Sequence, residues 1–149
     1  MPPKDQTLIS IFENNELKIS ILYRLYAKKM PKFRLFWNKL ADEEVIHAQK
    51  IASINIAELK ESFQETKFSR GIISYIDDFV EKQINQAKRG KVSHIEALNV
   101  SLRIEQSLLE KKCFEIFIPT NKKVKEVMQK LEKDTERHEK LLRKELEKQ

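Results

Sequence analysis

Apolar residues along this chain recur three and four positions apart in four long runs, and the breaks between those runs are very unequal. The first run, Leu8, Ile11, Phe12, Ile19, Leu22, Tyr23 and Tyr26, predicts a helix over residues 6–29, with Met30 at its end. Pro31 disfavours helical geometry in Met30 and suits the first turn of a new helix. A second helix, reaching residue 65, follows from Phe33, Phe36, Trp37, Leu40, Ala48, Ile51, Ile54 and Leu59. Ser93 and Glu96 have the spacing of a capping box ahead of Ile95, Leu98, Leu102, Leu109 and Ile116, which predicts a third long helix from Ser93. Pro119-Thr120-Asn121 interrupts the chain before a last helix carrying Val124, Val127, Met128, Leu131, Leu141, Leu142 and Leu146.

The short breaks at Pro31 and Pro119 predict two antiparallel helical hairpins. Between them lie residues 67–92, where Ile72, Ile73, Tyr75, Ile76, Phe79, Val80 and Ile84 predict a short helix bracketed by Gly71 and Gly90. That segment is expected to cross from one end of the bundle to the other, which makes the second and third long helices parallel. The expected architecture is all-α: a single domain over residues 1–149, four long helices up, down, down, up, and a long crossover containing a short helix.

Composition supports helices over sheet. The 149 residues include only two glycines and four prolines, too few for the turns of a strand-rich fold. The single cysteine, Cys113, makes neither an internal disulfide nor a Cys-x-x-Cys metal site, and points to a reducing, cytoplasmic setting. No apolar stretch is long enough for a secretory leader or a membrane span, so no membrane partner is expected. The formal charge of +6 comes from 29 basic and 23 acidic residues that alternate even in the lysine-rich tail. Interspersed signs describe a solvated helix face, so nucleic acid is not expected as a partner.

A few ionisable residues fall inside the apolar stripes. Glu16 shares a face with Phe12, Ile19 and Tyr23. Glu44 and His47 lie three apart, on the stripe of Leu40 and Ile51. Glu105 lies among Leu98, Leu102 and Leu109, and His138 between Leu131 and Leu142. A buried carboxylate must be paired, protonated or bound to a cation. Carboxylate oxygen with imidazole nitrogen is a donor set for iron and manganese, and nearby acids such as Glu43 and Asp134 could accept from the histidines' second nitrogens.

These residues also carry a resemblance. The segments 15–27, 40–48, 97–105 and 131–138 resemble the four ligand-bearing helices of the rubrerythrin branch of the ferritin-like superfamily, with the segment from Leu40 to Ala48, which carries Glu44 and His47, the most specific match. The resemblance implies a ferritin-like bundle and a metal site made of Glu16, Glu44, His47, Glu105 and His138. It implies iron, as two ions or one, with manganese or zinc as further options. It also implies an iron-dependent oxidoreductase of peroxidase or ferroxidase type, or iron handling, with paired subunits. The chain departs from the family pattern at Thr135, where a glutamate is expected, and in lacking the cysteine pairs of a rubredoxin domain, so redox turnover would need a separate electron donor. Within the site, Glu44, His47 and Glu105 are expected to form the stronger metal position, with Glu16 and His138 in a weaker one. The competing reading is a metal-free helical interaction protein that keeps the same bundle.

Overall fold

The computed structural model describes residues 8–54, 67–110 and 122–149. All regular structure among them is helical: α1 (Leu8–Lys29), α2 (Arg34–Ala52), α3 (Lys67–Arg89), α4 (His94–Glu110) and α5 (Lys122–Glu147), with a 3-10 turn over Pro31–Phe33. None of these helices is long and apolar enough to cross a membrane.

Local chemistry explains the boundaries. Met30 leaves helical geometry at φ −128° and ψ 75°, and Pro31 opens the 3-10 turn that leads into α2. Ser93 caps α4 through its Oγ, which accepts the Glu96 amide at 3.1 Å. The start of α2 is as expected, but the helix stops at Ala52, well before residue 65. Ser53 closes the last turn, its amide bonded to Gln49 O and its hydroxyl donating to Lys50 O. Leu59 and the break around Pro119 lie outside the described residues, as do Cys113 and Ile116.

The central segment differs more. It holds not a short helix but one of 23 residues, longer than α1 or α2. Ile73, Ile76, Val80, Ile84 and Ala87 recur at helical spacing and are all buried, so one unbroken stripe sustains the whole helix. Gly71 lies inside this helix instead of before it, where a Cβ would meet nothing within 4 Å, so its turn-forming freedom is not used. Gly90 does follow the helix end, its amide reaching back to Gln86 O.

Cross-helix bonds fix the relative directions. Arg24 of α1 meets Asn38 and Asp42 of α2, while Glu16, earlier in α1, faces His47, later in α2; the two are antiparallel. Lys18 binds Asp77 and Glu81, and Lys29 binds Gly90 O, so α3 runs parallel to α1. His94–Glu145 and Gln106–Glu139 make α4 and α5 antiparallel. Trp37 bonds to His94, and further along Glu44 and Glu105 approach the same His138 nitrogen, which sets α2 parallel to α4.

Trp37 lies in the core, fully buried, with Tyr23, Tyr26 and Phe36 packed on it at ring distances of 5.6, 4.9 and 5.1 Å. Such tilted and edge-on contacts add to the burial of large rings.

Candidate metal centre

Each of the five residues singled out from the sequence is buried: Glu16, Glu44, His47 and Glu105 are 1% exposed and His138 is 0% exposed. They come from four different helices, and antiparallel or parallel packing brings them to one level of the bundle. Two trios result. Glu16, Glu44 and His47 form one, Glu44, Glu105 and His138 the other, and in each the donor atoms lie within 4.8 Å of one another.

Glu44 belongs to both trios and divides its oxygens between them. Its Oε2 lies 3.3 Å from His47 Nδ1, and its Oε1 lies 2.9 Å from His138 Nδ1. Glu16 Oε2 is 3.9 Å from His47 Nδ1, and Glu105 Oε1 is 3.5 Å from His138 Nδ1. The two imidazole rings stack at 5.4 Å, tilted by 25°. The expected grouping of Glu105 with Glu44 and His47 is therefore corrected. Glu16 takes that place, because the antiparallel α1 brings it beside the His47 turn, while Glu105 goes with His138 across the α4–α5 pair.

Outside the trios the histidines are held by acids. His47 Nε2 bonds to Asp134 at 3.0 Å, and His138 Nε2 faces Glu43 at 3.6 Å. The tie is crossed: α2 carries Glu43, Glu44 and His47, α5 carries Asp134, Thr135 and His138, and each histidine meets the other helix's outer acid. Asp134 thus acts on His47 and does not replace the missing ligand. Thr135 is buried and donates its hydroxyl to Leu131 O at 2.9 Å, so it is satisfied within its own helix. Arg137 pairs with Glu43 and, at 3.7 Å, with Asp134, closing the outer ring of charge.

Burial raises the Glu16 carboxyl well above its ordinary range, helped by the neighbouring Glu44. It raises Glu105 in the same way. For Glu44 burial acts in that direction too, but bonding to Glu16, His138 and His47 outweighs it and holds the carboxyl well below the usual range. Burial would lower both histidines, yet the carboxylates win: Glu16 and Glu44 push His47 up to about 11, and Glu105 and Glu44 push His138 up to about 10. Without a cation, then, the centre is an ionised Glu44 between two imidazoliums, with raised carboxyls on either side.

Two partners were not anticipated. Tyr23, expected as an apolar stripe residue, donates its hydroxyl to Glu105 Oε1 at 2.8 Å. His94 is buried at a distance from the trios; it accepts from Trp37 Nε1 at 3.2 Å, donates through Nε2 to Glu145, and stacks on Phe33 with ring centres 3.5 Å apart. Its place on the stripe of Ala97, Leu98 and Glu105 was the available signal.

The donor chemistry tests well against a cation. Among the described residues, Glu16 Oε2 and Glu44 Oε2 are buried oxygens with no hydrogen-bond partner. Leaving such atoms unpaired costs about 1–3 kcal/mol each, more when charged, and an ion between them would remove that cost. Two carboxylates and one imidazole per position suit a divalent metal that accepts both oxygen and nitrogen. No family model matches this chain, and no curated protein or solved structure does either.

Proposed function

We propose that this chain is a non-haem metalloprotein of rubrerythrin-like type, built as a ferritin-like up-down-down-up bundle and holding one or two iron ions between its trios. The observation that carries the proposal is Glu44, a buried carboxylate that turns one oxygen to each trio, in the manner of a bridging ligand. The helix directions support the topology, with α1 and α2 antiparallel, α2 and α4 parallel, and the long α3 as the crossing element.

Iron held here would supply redox chemistry toward peroxide or dioxygen, or be oxidised as cargo in iron handling, with electrons arriving from a separate donor. The chain's own residues have narrower tasks. Glu16 and Glu105 terminate the two positions, and His47 and His138 supply nitrogen. Asp134 orients His47 through Nε2. Phe12, Ile19, Leu40 and Leu131, on the same helix faces, are buried together with the carboxylates, which keeps bulk water from them.

The test is elemental analysis of protein from iron-supplemented growth, followed by anaerobic iron(II) titration of the metal-free chain. One or two ions per chain, with a rise in melting temperature on loading, is the expected result. No bound metal under either condition would leave the metal-free interaction protein as the better reading. Pairing of two copies is also proposed: Tyr75 is 53% exposed on α3, where Arg103 covers the adjacent Phe79 ring at 4.7 Å. Light scattering should read twice the chain mass, and a strict monomer at micromolar concentration removes this part.

A further inference from the structure

The two trios offer the same donors, two carboxylates and an imidazole each, but they differ in which lone pairs are already in use. In the first, His47 is anchored from outside by Asp134, and its Nδ1 faces Glu16 Oε2 and Glu44 Oε2. Neither of those oxygens accepts a hydrogen bond of good geometry, and their ion pairs with His47 are long, at 3.9 and 3.3 Å. The second trio is closed on itself. His138 Nδ1 bonds to Glu44 Oε1 at 2.9 Å, and the Tyr23 hydroxyl bonds to Glu105 Oε1 at 2.8 Å. The outer anchor of His138 is the weaker one, since its Nε2 lies 3.6 Å from Glu43, beyond hydrogen-bond distance, and Glu43 is also engaged by Arg137.

A cation entering the first trio displaces only the looser ion pairs of His47 Nδ1 with Glu44 Oε2 at 3.3 Å and Glu16 Oε2 at 3.9 Å. Entry to the second requires that two internal hydrogen bonds break, one of them from the hydroxyl of a tyrosine that is itself fully buried. We infer that the two positions fill in order, with Glu16, Glu44 and His47 taking the first divalent cation and the Tyr23–Glu105 hydrogen bond holding back the second. Tyr23 is then a positioning residue that adds to the inequality between two sites with the same donor types. This rests on the proposed metal function and adds to it the order of loading and a residue that contributes to that order.

Cobalt(II) is a suitable probe, because its visible absorption reports each coordination step without turnover. Anaerobic titration of the metal-free full chain should show two steps separated by at least about tenfold in affinity, the difference expected from giving up the Tyr23–Glu105 hydrogen bond alone. Tyr23→Phe should tighten the second step by about tenfold and leave the first unchanged. Asp134→Asn, at a half-buried position that does not disturb the core, should weaken the first step by about 10–100-fold and spare the second. Two steps of equal affinity in the parent, tightening of the first step in Tyr23→Phe, or weakening of the second in Asp134→Asn would each overturn the order. A parent that takes up no cobalt at all overturns the metal function itself, so the two failures are distinguishable.

Discussion

Glu44→Ala is expected to abolish uptake at both metal positions and to destabilise the metal-free chain by about 3–5 kcal/mol at neutral pH, the usual cost of breaking a buried ion pair by removing one partner. Both effects follow from one residue serving two trios. Glu44 is 1% exposed, and its carboxyl stays ionised because Glu16, His138 and His47 together outweigh the burial that would raise it. Removing it strips one ligand from each trio and leaves two imidazole rings, 5.4 Å apart, with their shared counter-charge gone. A carboxyl whose folded value is depressed contributes stability above the unfolded value of 4.5 and loses that contribution as the pH falls, so neutral pH is where the full effect is seen. Glu16→Ala is the control, since it deletes a ligand from one trio only. Urea unfolding and metal content per chain are the measurements. Undiminished binding at either position in Glu44→Ala, or an unfolding midpoint equal to that of the parent, would refute the shared role.

The helices that carry the site were legible because their periods are long and their punctuation is chemical. Pro31 and Ser93 each mark a boundary through a mechanism that acts within a few residues, and both appear at the expected places. The central helix is longer than its sequence predicts because Gly71 does not act as a boundary; a stripe from Ile73 to Ala87 packed on α1 outweighs the entropic cost of one exposed glycine in a helix. The five inward residues were likewise visible from spacing alone, since a residue in step with an apolar stripe is carried inside with it. Their partition into trios was not. Which carboxylate meets which imidazole depends on the rotation and stagger of neighbouring helices, and a single sequence fixes neither. The same holds for Tyr23 and Asp134, whose partners lie on helices far away in the chain.

Raising the pH from neutral toward 10 should lower the melting temperature of the metal-free protein by several degrees or more, while the stabilisation gained on adding iron(II) or manganese(II) should grow over the lower part of the same range. The sign follows from the histidines. His47 faces Glu16 from α1, Glu44 from its own helix and Asp134 from α5, with Arg137 beyond Asp134. His138 faces Glu43 and Glu44 from α2 and Glu105 from α4. These neighbours lift the two groups from 6.5 to about 11 and about 10 against the opposing effect of burial. A group whose folded value is raised contributes stability that is complete below its unfolded value and is lost as the pH climbs through the folded one. The window is therefore above about 6.5, and Glu16 and Glu105, both raised by burial, act in the same direction. A cation needs the Nδ1 lone pairs and the carboxylate oxygens that these protons occupy, so binding must release protons and strengthens as the pH rises. The Glu44 carboxyl, held low, takes no part at these pH values. Thermal melts of metal-free and metal-loaded protein at matched ionic strength, with proton release followed by a pH indicator during loading, provide the measurement. A melting temperature that is flat between neutral pH and 10 in the metal-free chain would show that the imidazoliums are not held by the carboxylates. Metal uptake with no proton release would show that the cation sits elsewhere.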